Sequence, residues 1–348
     1  MSLPAISVVI PTHNVEKFVR RTLRSIKMQS FQDINVIVVD DASTDRTKEV
    51  VMKELKDVRF EWRVVEQNFH GGVSNARNIG LKIASGEYLH FLDGDDFIEP
   101  TFYEKMYNKA VIKAYDIVVS GFDEVTTDGL IVRRCLNNLF PEARGQQAFM
   151  AQLNLTLRAR LCASLFRRKF LIKNSLHFIP ERRYLEDTEF LLKALYKAKY
   201  VGVVPEALLH ILRRHGSVTR SGNPEKFIND VLEAYTELRN FLEKEKCPEN
   251  AKVLLKARIG THILDLIVLS FVSGDYRVSK TMHLHSRSLI KEALTPKWRD
   301  KILKIAVLYC PDIVKMLYPL YKKFYVMSVY CLNRRLQINP QCKIYKSI

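Results

Sequence analysis

Along the first 120 residues, short continuous apolar runs alternate with segments whose apolar positions recur every three to four residues. Ala5 to Ile10 is a β-branched run that predicts a strand buried on both faces and stopped by Pro11. Val15, Phe18, Val19, Leu23 and Ile26 then share one helical face, with Asn14 as the expected N-cap. Ile34 to Val39 predicts a second strand, Thr44 to Leu55 a helix, and Phe60 to Val65 a third strand. Gly71, Gly72 and Ser74 lead into a helix through Ile83, followed by a strand at Tyr88 to Leu92. A helix over Glu99 to Ile112 and a strand over Ile117 to Ser120 complete the series. Such alternation with short loops predicts an α/β fold, a doubly wound, Rossmann-like sheet that is mixed but mainly parallel and flanked by helices.

Past residue 121 the pattern loosens. Glu124 to Arg134 suits a hairpin around Asp128-Gly129, and Gln146 to Leu155 suits a helix. Ser164 to Ile172 is basic and apolar, and a helix is expected from Glu186 to about Lys199. Tyr200 to Val204 is apolar, with Leu208 to Leu212 as its expected pairing partner. Beyond Asn223 the pattern is helical: Phe227, Val231, Leu232, Tyr235, Leu238 and Leu242 recur at helical spacing, and Val253 to Phe271 is a second such stretch. A boundary near 220 is expected, with residues 1–220 as a catalytic domain and 221–348 as a helical, basic C-terminal extension.

Parallel strands place their carboxyl ends at one edge, where the crevice of such sheets lies. Three of the first four strands end there in polar clusters: Pro11-Thr12-His13-Asn14, Asp40-Asp41, and Asp93, Asp95 and Asp96 around Gly94. Three carboxylates within four positions call for a compensating cation, because an unpaired buried charge costs several kcal/mol. A hard divalent ion with oxygen ligands suits them; a solvated acidic turn is the plain alternative. Asp40 and Asp41 suit either a ligand role or the first turn of the next helix, where Ser43, Thr44 and Asp45 also fit. Gly71-Gly72 opens a helix whose free N–H groups favour anions, with Arg77 one turn on. Glu186-Asp187 opens another helix, and Arg213, Arg214 and His215 precede a polar turn.

Charge changes the picture in one place. The chain of 348 residues carries 55 Lys and Arg against 38 Asp and Glu, a formal charge of +17. From Ile313 onward there are seven Lys or Arg and no acid. Leu317 to Leu336 mixes Tyr, Leu, Phe and Val with Lys322, Lys323, Arg334 and Arg335, which suits a helix lying on an anionic membrane surface or packing on the catalytic domain or on a second subunit as a homodimer. Acidic clusters at the strand ends argue against a nucleic-acid groove. The six cysteines show no zinc-type spacing and suit reduced thiols in a cytoplasmic protein. No apolar window suits a signal peptide or a membrane span.

Taken in order, S-V-V-I-P-T-H-N at 7–14, V-V-D-D-A-S-T-D at 38–45, G-V-S-N-A-R-N-I-G at 72–80, F-L-D-G-D-D at 91–96, L-E-D at 185–187 and R-R-H-G-S-V-T at 213–219 resemble the successive motifs of the inverting family 2 glycosyltransferases. The resemblance covers roughly residues 5–220 and implies a GT-A fold, a nucleotide-diphosphate sugar donor (UDP by preference) and Mn²⁺ or Mg²⁺. It implies that Pro11, Thr12 and Asn14 line the nucleotide, that Asp41 meets the base, and that Arg77 lies near base or phosphates. Asp93 and Asp95 would form the D-x-D element, Asp95 as the stronger metal ligand, Asp93 shared with the ribose, and Asp96 assisting. Asp187 would be the general base beside Glu186, with Arg214 and His215 steadying the diphosphate. The acceptor would be a saccharide or lipid-linked hydroxyl, as in cell-surface polysaccharide synthesis, with the protein peripheral on the inner face of the membrane. His13 stands where that family more often has Tyr or Phe, and Leu161-Cys162-Ala163 where relatives often have a Lys-containing segment. A sugar nucleotidyltransferase would instead need a glycine-rich loop with Arg and Lys after the first strand, where this chain has Pro-Thr-His-Asn.

Overall fold

The computed structural model describes residues 3–138, 142–180, 182–213 and 224–273, together with Lys291. They divide into two compact units: residues up to 213, less Leu153–Leu155, belong to the first, and the helices beyond 224 to the second.

The first unit runs β1 (Ile6–Thr12), α1 (Val19–Lys27), β2 (Ile34–Asp40), α2 (Thr47–Leu55), β3 (Glu61–Glu66), α3 (Val73–Ile83), β4 (Tyr88–Phe91), β5 (Phe97–Ile98), α4 (Phe102–Ile112), β6 (Ile117–Thr126), β7 (Ile131–Cys135), β8 (Glu142–Arg144), α5 (Gly145–Leu153), β9 (Ser164–Arg167), α6 (Arg168–Lys173), α7 (Glu186–Lys197) and β10 (Tyr200–Arg213). One sheet takes them in the order β3-β2-β1-β4-β9-β6-β10-β5, with β7 added beside β6 and β8 beside β10. Strands β1 to β4 are mutually parallel, as are β6 and β10, while β9 runs antiparallel between β4 and β6. The mainly parallel, helix-flanked sheet expected from the alternation is therefore present. Helices on both faces explain why β1 and β4 are buried at every position. At the edge, β3 alternates between exposed and half-buried residues instead.

Local detail departs from the sequence reading in four places. First, β1 does not stop at Pro11 but continues to Thr12. Val9 still accepts a hydrogen bond from the Leu92 N–H on the β4 side. Pro11 faces the same side two residues on, beyond the end of β4, so its missing N–H leaves no ladder bond unmade. Second, Asn14 is not an N-cap, since α1 begins only at Val19. Third, β5, a two-residue strand just after the Asp93–Asp96 cluster, pairs antiparallel with β10. Fourth, Leu208–Leu212 does not fold back on Tyr200–Val204. Both lie in β10, which is irregular between Val204 and Leu209 and follows β6 along its length. That irregularity resets the register, which is how one strand reads as two.

Close approach of α3 to the sheet depends on Gly80, where a Cβ would fall 2.2 Å from Val9 Cγ1. In the second unit, α8 (Pro224–Lys244) and α9 (Glu249–Ser273) pack together. Val231, Leu238 and Leu242 on one and Leu255, Ile259 and Ile263 on the other are buried at helical spacing. Among the described residues no helix is long and apolar enough to cross a membrane.

Candidate active site

Because β2, β1 and β4 lie side by side and run the same way, their carboxyl ends open at one edge. The three polar clusters meet there through the backbone and short side chains. Asp41 donates its N–H to the Thr12 carbonyl at 2.8 Å, and Thr12 Oγ1 lies 3.1 Å from Asp40 Oδ1. Asn14, at φ 50°, turns its Oδ1 to the N–H of Thr44 at 2.8 Å and of Asp45 at 3.3 Å. It thus clasps the loop after β2 rather than capping α1. Asp45 in turn accepts the Thr47 N–H at 2.9 Å at the start of α2. Thr22 Oγ1 donates to the Gly94 carbonyl at 3.0 Å, fixing the middle of the acidic turn.

The two acids of the Asp40-Asp41 pair have different work. Asp40 closes its own turn, accepting from Ser43 N at 3.1 Å and Ser43 Oγ at 2.6 Å. Asp41, whose side chain is only 3% exposed, faces the loop before α3. Its Oδ1 accepts from Gln67 Nε2 at 2.9 Å and Gly71 N at 2.7 Å. Its Oδ2 accepts from Gly72 N at 2.9 Å and lies 2.8 Å from His70 Nδ1. The two glycine amides reach it because Gly72 sits at φ +85°, a conformation that costs other residues strain. Beside it, His13 donates Nδ1–H to the Asp41 carbonyl at 2.6 Å and stacks on His70 with ring centroids 4.1 Å apart.

Arg77 joins the strand ends to α7. Its guanidinium is 3% exposed and binds Asp93 Oδ1 at 2.7 Å through one nitrogen and Glu186 Oε1 at 3.0 Å through the other. The Phe178 ring lies 5.3 Å from its Cζ. Burial alone would lower the Arg77 pKa, but the charges of Asp93 and Glu186 outweigh it and raise it above its ordinary value. Glu186 answers in the other direction: burial first, and the neighbouring Asp187 charge second, push its carboxyl up to about 7 against the pull of Arg77.

Asp187 lies beside it in the first turn of α7, where a carboxylate is favoured by the helix dipole. Its Oδ1 accepts the Thr188 N–H at 2.6 Å. The residue before the pair, Leu185, is held at φ 62°, a left-handed conformation that costs a branched residue roughly 1–2 kcal/mol. The segment leading to it is tied to α3 and α7 by contacts absent from the sequence reading. Asn78 on α3 both accepts the Phe178 N–H at 2.9 Å and donates to the Phe178 carbonyl at 2.8 Å. Ser74, one turn earlier on the same face, donates to the Arg182 carbonyl at 3.1 Å. Arg182 meets Glu189 at 3.2 Å, both nearly fully buried. The only signal in the sequence is that Ser74 and Asn78 are four apart and flank Arg77; their partners lie 108 and 100 residues away.

The three acids after β4 are not equivalent. Asp93 is one-third exposed and engages Arg77. Asp96 is buried and accepts the Leu212 N–H of β10 at 2.9 Å. Burial, then the charges of Asp95 and Asp93, push its carboxyl well above the usual range. Crowded oxygen donors around a buried carboxyl are what a hard divalent cation relieves, so the residues present fit Mg²⁺ or Mn²⁺. Among the described residues, one ligand atom each from Asp93, Asp96 and Cys162 lie within 4.8 Å of one another, and Asp96 ties the turn to β10. Arg213, the last residue of β10, is paired with Glu124; Arg214 and His215 lie outside the described residues.

Comparison with known proteins gives these features a context. The description Glycosyl transferase family 2 matches residues 7–174. The uncharacterized glycosyltransferase EpsJ of Bacillus subtilis is 31% identical over 225 residues, 62% of this chain and 63% of that protein. Poly(ribitol-phosphate) beta-N-acetylglucosaminyltransferase TarS of Staphylococcus aureus is 27% identical over 84% of this chain and 47% of its own length. Over these curated relatives, then, the chain spans less than two thirds of the length. Among solved structures, S. aureus TarS 1–349 in complex with UDP-GlcNAc superposes with a TM-score of 0.58 at 21% identity, covering 90% of this chain and 91% of that one. A mannosyltransferase from Pyrobaculum calidifontis in complex with GDP-Man and Mn²⁺ superposes with a TM-score of 0.53 at 15% identity, covering 97% and 89%.

Proposed function

The chain belongs to the family 2 glycosyltransferases, with a GT-A fold, and on that premise we propose that it moves a sugar from a nucleoside-diphosphate donor to an acceptor hydroxyl with inversion. The observation that carries this reading is Arg77, one buried cation bridging Asp93 at the strand ends and Glu186 at the start of α7. That bridge supports the reading in which a leaving-group site and a proton acceptor share one crevice.

Asp187 takes the acceptor's proton as the hydroxyl oxygen attacks the anomeric carbon from the face opposite the nucleotide. The sugar–phosphate bond breaks in the same displacement, and its electrons leave with the diphosphate. A divalent ion, when held by Asp95 and Asp93, supplies positive charge to that leaving group. Pro11, Thr12, Asn14 and Asp41 line the nucleotide, and Arg214 and His215 steady the diphosphate. Arg77 holds Asp93 and Glu186 apart and oriented, so neither acid drifts when the donor enters. UDP is the proposed nucleotide, as TarS was solved with UDP-GlcNAc. The acceptor is proposed to be a growing cell-surface polysaccharide or a lipid-linked saccharide. Residues 1–220 are proposed as the catalytic domain of a cytoplasmic protein. Residues 221–348 are proposed to contact acceptor, membrane or a second copy, with 317–336 lying on the inner face of the membrane.

A screen of nucleotide sugars for Mn²⁺-dependent thermal stabilisation identifies the donor. With that donor, Asp187→Asn keeps donor binding and loses about 10²–10⁴-fold in turnover. Near-wild-type turnover by this variant removes Asp187 from its role.

A further inference from the structure

Of the four groups on the Asp41 carboxylate, three are fixed. Two are backbone amides, of Gly71 and Gly72, and the third, Gln67 Nε2, belongs to a side chain itself held by Asn75 at 2.5 Å. The fourth is the His70 ring, 42% exposed and carried on a surface loop. It is planar, it presents a ring N–H to Asp41 Oδ2 at 2.8 Å, and it stacks on His13 at 4.1 Å with the planes 27° apart. A nucleobase with a ring N–H presents the same three features: a flat face, a stacking distance near 4 Å and an in-plane donor for a carboxylate. We propose that His70 occupies the nucleobase position in the free enzyme, as an internal stand-in that the donor must displace.

This rests on the reading of Asp41 as the base-binding acid. His13 then serves both occupants in turn, since its own ring is anchored from the side: its Nδ1–H goes to the Asp41 carbonyl at 2.6 Å, and its Nε2 lies 3.2 Å from Asn14 Nδ2. His70 has no such second anchor in the contacts described, so it is the member of the stack that moves. The chemistry selects bases that donate from the ring, such as uracil, thymine and guanine, over bases without a ring N–H. It also sets a threshold on donor binding. A gate closed in roughly 90% of molecules weakens apparent affinity about tenfold, because only the open fraction is competent.

The test is calorimetric titration of the full chain, wild type and His70→Ala, with UDP in Mn²⁺ and separately with inorganic pyrophosphate in Mn²⁺. The expected result is several-fold tighter UDP binding by His70→Ala with pyrophosphate binding unchanged, since pyrophosphate does not enter the base position. Long-range ¹H–¹⁵N spectra of the histidine rings supply a second measurement: saturating UDP is expected to shift the His70 Nδ1 resonance as it leaves Asp41. Equal or weaker UDP binding by His70→Ala, or a His70 resonance that ignores UDP, overturns the stand-in while leaving the donor reading intact. Failure of both proteins to bind UDP, GDP or pyrophosphate overturns the donor reading and the stand-in together.

Discussion

Asp41 and the Asp93–Asp96 cluster stand at the ends of β2 and β4, one strand apart, yet they are compensated in opposite ways. Asp41 receives four hydrogen bonds, two from backbone amides that cannot leave without unfolding the loop. In the acidic cluster Arg77 binds Asp93 and the Leu212 amide binds Asp96, and burial with the charges of Asp95 and Asp93 raises the Asp96 carboxyl against the pull of Arg21. On the readings proposed above, the first site is one the donor opens and the second is one a cation completes. A donor carrying both a base and a diphosphate–metal unit would meet each at its own end.

Removing Arg77, the cation that Asp93 shares with Glu186, gives the largest effect. Arg77→Met leaves Glu186 and Asp93 without their partner in a buried place, and a loss of about 3–5 kcal/mol in urea unfolding is expected. A loss below about 1 kcal/mol would mean that the two acids do not depend on Arg77. Next comes Glu186. Its folded pKa is raised from 4.5 to about 7, so its contribution to stability is full below pH 4.5 and is lost as pH rises through 7. Glu186→Gln is expected to flatten that stretch of the stability–pH curve, by no more than about 3 kcal/mol, and unfolding midpoints measured from pH 4 to 8 read it directly.

Completion by a cation is sharper still as a contrast between variants. Mn²⁺ at 100 times its dissociation constant adds about 2.7 kcal/mol to the wild type, and Asp95→Asn is expected to lose that gain in a thermal-shift assay while Asp41→Asn keeps it. The smallest effect belongs to Asp96→Asn. The amide oxygen still accepts from Leu212 while the buried charge disappears, so the melting temperature is expected to stay level or rise and Mn²⁺ binding to persist. A fall of more than about 1 kcal/mol would make the Asp96 charge itself necessary.

The strand ends were legible because β1, β2 and β4 are buried on both faces and therefore spell continuous apolar runs, and parallel strands leave no choice about where those runs end. The Asp93–Asp95 pair could be found the same way, as polar residues next to an apolar stretch, whereas Glu186-Asp187 read as first-turn helix acids and took a site role only from the resemblance. What was not legible depends on distant partners. Asn78 looks like any helix-surface amide until Phe178, 100 residues on, supplies both its bonds. Asn14 has the composition of a cap and the conformation of a clasp, since its φ of 50° turns it toward Thr44 and Asp45. The two-residue β5 carries too few positions to show any period, and the irregularity in β10 erases the continuity of that strand.

The placement of β10 has a further consequence for how the protein is made. It is the last of the described strands in chain order, yet it lies between β6 and β5, and its Leu212 N–H completes the turn that holds Asp96 from 116 residues away. A chain emerging from the ribosome can pair β1 to β4, but it presents β6 with one flank bare until residues 200–213 arrive. A bare, apolar strand flank is a template for joining other chains. Premature termination before Tyr200 is therefore a hazard of aggregation as well as a loss of activity, and the crevice closes only after nearly all of the first unit has been synthesised.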